Sequence, residues 1–189
     1  MQILTDGKQN RIPAERVNNP RVDTLLIAAG QAEGLYVAPK GSAGRIRWYG
    51  LTEQLETYNG RISQLVGLET DVTALLGNDD PFVTGLLNID DGTQVSRTVD
   101  FPLTYQTGLQ QLATYYRGPV EYLAIDGKQQ AYQRIDEQIL MPQINFRATN
   151  YYWVNPATGQ VRRSIQHPAP NLPAMNMLFT HHPAQGEQP

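Results

Sequence analysis

Apolar and polar residues alternate with a period of two along most of this chain. In residues 95–105, Val95, Arg97, Val99, Phe101, Leu103 and Tyr105 share one face, and Ser96, Thr98, Asp100, Pro102 and Thr104 share the other. That pattern predicts a half-buried strand, and Pro102 predicts an edge or a bulge in it. Residues 145–154 repeat the pattern, with Phe146, Ala148, Asn150, Tyr152 and Val154 opposite Arg147, Thr149, Tyr151 and Trp153. Shorter runs predict strands at residues 22–27, 35–37, 45–49, 54–58, 109–117, 120–125, 129–140, 160–166 and 175–179. Residues 61–66 form a further strand with apolar residues on both faces, so its buried side is open. Asn59-Gly60, Asp91-Gly92 and Asp126-Gly127 are two-residue hairpin cues, because type I′ turns need positive φ at both central positions. Gly118-Pro119 predicts a break between two strands.

One segment departs from this period. In residues 70–76, Val72, Leu75 and Leu76 fall at helical spacing with Gly77 to terminate them, which predicts a short helix. Residues 12–17 could make one helical turn with Pro13 at its first position. Residues 82–89 are apolar and fit neither period. A parallel sheet would need helices between its strands, and too little helical pattern exists to supply them. The expectation is a mainly β fold: an antiparallel β-sandwich, or an open or half barrel, with one short helix. Residues 13–180 would form a single β-domain, between an N-terminal tail or linker at 1–12 and a C-terminal tail at 181–189.

Composition narrows the chemistry. The 189 residues include no cysteine, which removes disulfides, thiolate catalysis and iron–sulfur ligation. A net charge of −3 argues against a nucleic-acid partner. No apolar run approaches the roughly 18–20 residues of a membrane-spanning helix, and no apolar segment follows the start as in a signal peptide. Ten Tyr exceed four Phe and two Trp, and strand surfaces favour Tyr.

Catalytic and metal motifs are scarce. Of the three histidines, His181 and His182 lie in the polar tail and His167 stands alone, so neither a metal nor any other cofactor is expected. Asp79-Asp80, Asp90-Asp91 and Asp136-Glu137 are carboxylate pairs, but neighbours on a strand point apart, and the first two pairs sit in turns where Asp serves the backbone. There is no G-x-S-x-G, H-E-x-x-H or phosphate-loop motif. Tyr151 and Trp153 share one strand face, and rings of this kind stack on sugars or simply pack against neighbouring strands. Arg147, Arg162 and Arg163 lie near the same hairpin and could meet acidic sugars or a partner. These five residues are the candidate binding site for polysaccharide or partner.

Residues 152–164, Tyr-Trp-Val-Asn-Pro-Ala-Thr-Gly-Gln-Val-Arg-Arg-Ser, are the most distinctive run. They resemble the C-terminal motif of the YjbF/GfcB-type lipoproteins, the group 4 capsule polysaccharide lipoprotein family. That motif has an aromatic-Trp-Val strand, a T-G-Q-V-R turn and a basic-Ser return. Other landmarks fall in the family's order: Trp48, Leu55, Thr57, Asn59-Gly60-Arg61-Ile62, Gly67-Leu68, Asp80-Pro81-Phe82, Gly85-Leu86, Asp91-Gly92 and Ile125-Asp126-Gly127. The resemblance covers about residues 13–180.

It implies a Gram-negative outer-membrane lipoprotein facing the periplasm, active in making or exporting capsule or exopolysaccharide, without enzymatic activity. Implied partners are outer-membrane polysaccharide-secretion components, including a large β-barrel protein, and the polysaccharide itself. Such lipoproteins begin with a signal peptide ending at a lipidated cysteine. This sequence shows neither, so the expectation is a trimmed processed N-terminus, with contact to the membrane only through a lipid anchor absent from this chain. The alternative is a soluble periplasmic relative. Two other functions stand beside the accessory role: a polysaccharide-modifying enzyme, which needs convergent carboxylates in a cleft, and a lipid or lipoprotein carrier, which needs a wide apolar groove.

Overall fold

The computed structural model describes residues 22–41, 43–125 and 128–180. Twelve antiparallel strands close into one barrel: β1 (Val22–Ala29), β2 (Ala32–Pro39), β3 (Arg45–Tyr49), β4 (Gln54–Tyr58), β5 (Arg61–Val66), β6 (Val72–Leu75), β7 (Thr93–Phe101), β8 (Gln106–Ile125), β9 (Lys128–Met141), β10 (Phe146–Val154), β11 (Val161–Gln166) and β12 (Met175–Thr180). Each strand pairs with its sequence neighbours, and β12 returns to β1 to close the ring. The fold is therefore mainly β with one short helix, as the alternation predicts, and the barrel is closed rather than open. Pro102 ends β7 in a 3-10 turn, with a register shift just before it between Val99 and Phe101. Gly118-Pro119 does not split its segment; β8 runs through it with a bulge between Arg117 and Val120. Asn59 and Gly60 both have positive φ, as a type I′ turn requires. The expected turn at 126–127, the helical turn at 12–17 and the tail histidines lie outside the described residues.

The helix expected at residues 70–76 is instead a strand. In β6, Val72 and Ala74 are buried while Leu75 is exposed, and the segment bridges β5 and β7. Three apolar residues satisfied the helical spacing, but the sheet needed a strand there to close, and that demand outweighed local pattern. The α-helix among the described residues is α1 (Pro81–Thr84), in the stretch that fitted neither period. Asp80 caps it by accepting a hydrogen bond from the Phe82 amide at 3.0 Å, and Pro81 takes the first turn, where its missing N–H costs nothing.

Eight strands already make a barrel that side chains can fill, so twelve in a circular ring would leave a lumen. Two features fill the space here. First, the ring is pinched. β5 and β11 stand six positions apart around it, yet the Gln166 carboxamide joins them, accepting from the Ile62 amide (2.9 Å) and donating to the Gly60 carbonyl (2.8 Å). A Cβ on Gly60 would lie 2.6 Å from Val161, so only glycine allows this approach. The opposing walls thus pack much as two sheets do. Second, α1 enters the interior. The Phe82 ring meets Tyr152 (4.8 Å) and Tyr115 (6.3 Å) edge-on, and Trp48 and Phe179 pack against each other in the same core.

The plug is held by buried charge. Arg97 on β7 donates to both Asp80 oxygens, at 2.6 and 3.2 Å, and to Glu137 on β9 at 2.5 Å. Glu137 also accepts from Tyr115 (2.8 Å), Asn150 (2.7 Å) and Tyr152 (2.8 Å), and Arg61 reaches it at 3.4 Å. Two carboxylates and two guanidinium groups balance inside the core. Burial pushes the Glu137 carboxyl upward, but Arg61, Arg97 and the hydrogen bonds from Asn150 and Tyr152 outweigh it, and its pKa is lowered to about 2. Burial and the Glu137 charge push the Tyr115 and Tyr152 hydroxyls up, so both remain donors.

A depressed carboxyl pKa stabilises the fold above the unfolded value, and that stability is lost as pH falls from about 4.5 toward 2. The contribution at neutral pH is on the order of 3 kcal/mol. Glu137→Gln, which leaves Arg61 without a carboxylate and Arg97 with Asp80 alone, is expected to destabilise by roughly 3–5 kcal/mol. Urea unfolding between pH 2 and 7 should show a steep loss of stability below pH 4.5 in the natural chain and a flatter profile in the variant.

Candidate functional site

The outward positions of β7 to β10 form continuous ladders, because the four strands pair in register. Ser96, Leu112, Leu140 and Arg147 stand side by side in one row, and Gln94, Thr114, Gln138 and Thr149 in the next. The residues between these rows, Val95, Ala113, Ile139 and Ala148, turn toward the core. The two rows flank an open groove of about 800 Å³, which Asp79 also lines. A third row follows with Tyr116, Asp136, Tyr151 and Ile165, and then Trp153 beside Arg163.

Arg147 lies in the groove. Tyr151 is four residues further along β10, about 13 Å at strand rise. It sits half-buried with the Arg134 guanidinium 5.3 Å from its ring. Trp153 is only 6% exposed. Its indole N–H donates to Glu121 at 2.9 Å, and Arg163 stacks on its ring at 4.7 Å. Burial lowers the Arg163 pKa against the pull of Glu121. Arg162, at the β11 bulge, donates to the Phe179 carbonyl of β12 at 3.1 Å. The structure thus gathers Tyr151, Trp153 and Arg163, places Arg147 further along the same face, and engages Arg162 with the β12 backbone.

What covers Trp153 is the far end of the β8–β9 hairpin. β7 pairs with β8 only as far as Tyr115, and β10 pairs with β9 only as far as Gln133. Beyond those points the hairpin is a free two-stranded arm. The Gly118-Pro119 bulge bends it, and Gly118 permits the approach of Arg134, whose Nε would lie 2.8 Å from a Cβ there. The arm lays Ile125, Tyr132 and Leu123 over Trp153, Tyr151, Ile165 and Leu178 as a second apolar cluster. Its other face leaves Val120 and Tyr122 exposed. Tyr115, Tyr116 and Tyr122 therefore lie on one strand, pointing to the core, the outer face and solvent respectively.

On the outer wall Glu121 and Asp136 both bind Arg134; in the core Asp80 and Glu137 also converge, but both are fully enclosed and bound to Arg97. They face no cleft in which a glycosidic bond could sit. The space inside the barrel beside Arg61 and His167 is a cavity of only about 10 Å³, about the room of one water. Nothing there could hold an acyl chain. Among the described residues, no three of His, Asp and Glu converge as a metal site would need.

Sequence reasoning found β10 and its outward residues and missed the rest of the groove. Gln94, Thr114 and Gln138 carry no signal beyond being polar at alternate positions, and only strand pairing aligns them.

Comparison with known proteins gives the following. The family model for the group 4 capsule polysaccharide lipoproteins (gfcB, YjbF) matches residues 2–179. Among solved structures, the hypothetical lipoprotein YmcC from Escherichia coli K12 superposes with a TM-score of 0.75 at 20% identity, covering 93% of this chain and 99% of that one. A candidate lipoprotein from Parabacteroides distasonis follows at a TM-score of 0.39 and 9% identity, covering 85% of this chain and 93% of its own. A candidate exported protein with a YmcC-like fold from Bacteroides fragilis has a TM-score of 0.39, 8% identity and the same coverage. No curated protein matches the chain.

Replacing Trp153 by Ala is expected to cost about 3–5 kcal/mol, because it opens the space under the arm. Tyr151→Ala, at a half-exposed position, is expected to cost less than half as much. Urea denaturation of the two variants checks the order; equal losses would mean the arm does not seal Trp153.

Proposed function

This chain belongs to the group 4 capsule polysaccharide lipoprotein family, and from that premise we propose that it is a non-enzymatic accessory factor in producing or secreting capsule or exopolysaccharide. It works at the periplasmic face of the outer membrane of a Gram-negative cell, held by an N-terminal lipid. Its partners are the polymer and outer-membrane components of the secretion apparatus, a β-barrel among them.

The observation that carries this reading is the division of chemistry between inside and outside. The acid groups of the core are locked in ion pairs and sealed from solvent. The polar groups that remain open line a surface groove. An arrangement of that kind binds and positions and has no poised acid and base with which to cut. Apolar side chains fill the barrel around its buried ion pairs, and its outer face carries Arg45 and Arg47 paired to Glu56 and Arg134 paired to Asp136. A barrel that crosses a membrane puts an apolar band outside, and the charged pairs on this wall support a water-facing barrel held at the membrane through a lipid. The exposed side of the arm, with Val120 and Tyr122, is the surface we assign to a protein partner.

Deleting the gene in its native bacterium is expected to lower surface polysaccharide severalfold, and the natural gene is expected to restore it. The polymer recovered from both strains should have the same linkages and substituents. Purified protein that shortened or altered the polymer would overturn the accessory reading in favour of an enzyme.

A further inference from the structure

We propose that the groove across the outer face of β7 to β10 binds a segment of a sparsely acidic polysaccharide, with one sugar carboxylate on Arg147 and sugar hydroxyls on the two ladders. This rests on the accessory reading above and adds the class of ligand and its direction of lie.

Size comes first. At about 800 Å³ the groove is of ligand-site scale. It crosses four strands, roughly 14 Å at 4.7–4.9 Å per strand, and runs as an open trough rather than a closed chamber. An extended chain fits that shape better than a compact molecule.

The lining then specifies chemistry. Gln94 and Gln138 offer carboxamides, and Thr114 and Thr149 offer hydroxyls. Each of these groups both donates and accepts, as sugar hydroxyls do. None of the four has a side-chain hydrogen bond among the described residues, so all are free for a ligand. Elsewhere on the outer wall Arg45 and Arg47 pair with Glu56, and Arg134 pairs with Glu121 and Asp136. Leu112 and Leu140 lie between Ser96 and Arg147 in the first ladder and present apolar surface to the C–H face of a sugar ring.

Charge completes the assignment. Arg147 is the one cation of the lining and makes no ion pair among the described residues. Its planar fork matches a carboxylate in two parallel hydrogen bonds. Asp79 is the one anion of the lining and comes from the segment between β6 and β7, whose Asp80 is bound to Arg97 of β7; Arg147 is three strands away. A second carboxylate would meet Asp79 and be repelled. The ligand therefore carries acidic sugars separated by neutral ones.

The test uses the full chain, isotope-labelled for NMR, with a hexasaccharide of alternating glucuronate and N-acetylglucosamine and with the same hexasaccharide after carboxyl reduction. The acidic oligomer is expected to shift amides at 94–96, 112–114, 138–140 and 147–149. Arg147→Ala is expected to weaken the acidic oligomer roughly tenfold or more while leaving the reduced one unchanged. Gln138→Ala with Thr149→Val is expected to weaken both. These positions lie on the surface, and a dispersed spectrum verifies that each variant is folded. Shifts confined to Tyr116, Tyr151 or the arm would overturn the groove, as would unchanged affinity in Arg147→Ala or no binding of either oligomer at millimolar concentration. The accessory reading fails on a different observation, undiminished surface polymer in the deletion strain.

Discussion

Arg97 holds the interior of this barrel together. Its guanidinium spans from Asp80, which caps the inserted helix, to Glu137 on the wall. A buried ion pair gains little over a well-packed apolar core, because taking the ions out of water is costly. What it gains is geometry. Once Arg97 is buried, every arrangement that leaves its fork unpaired is heavily penalised, so the plug has one seat. Tyr115, Tyr152, Asn150 and Gln111 then orient around that seat, each hydrogen-bonded to a charged group in it.

The pinch at Gln166 and the plug at Phe82 together allow twelve strands to close without a lumen. They also move function to the outside, since a filled barrel cannot carry cargo in its core. The long hairpin β8–β9 shapes that outer surface in two ways. Where it is flanked by β7 and β10, it forms the middle of the groove. Where it outruns them, it bends at Gly118-Pro119 and seals Trp153. An aromatic on an outward strand position reads from sequence as available for stacking, and here the chain itself occupies the stacking face.

Much of the fold was legible in the sequence because strand period is a local property. β3, β4 and β5 match their expected limits residue for residue, and β9 and β10 come within a residue of theirs. The errors arose where a segment obeyed two periods at once. Val72, Leu75 and Leu76 satisfy a helix, while Val72 and Ala74 satisfy a strand, and only the gap between β5 and β7 chooses. The plug was illegible for the opposite reason. Residues 82–89 switch within eight positions from one α-turn to a 3-10 turn to extended chain, burying Phe82, Leu86 and Ile89 and exposing Val83, too short a run of any element to set a period.

The sequence by itself determined the β class, the Asn59-Gly60 turn, the family, and the outward run Arg147, Thr149, Tyr151, Trp153. All of these are written in residues close along the chain. Asp91-Gly92 instead follows a 3-10 turn and joins no pair of strands directly. The tertiary structure decided that the sheet closes and flattens, that Asp80 and Glu137 meet on one arginine, that Trp153 is covered, and that three separate strands align their Gln and Thr residues with β10 into a groove. Those facts depend on pairings between different strands, from Leu140 with Arg147, 7 residues apart, to Ile62 with Gln166, 104 apart. A one-residue slip would turn each of those side chains to the other face, and nothing local in the sequence records which register is taken.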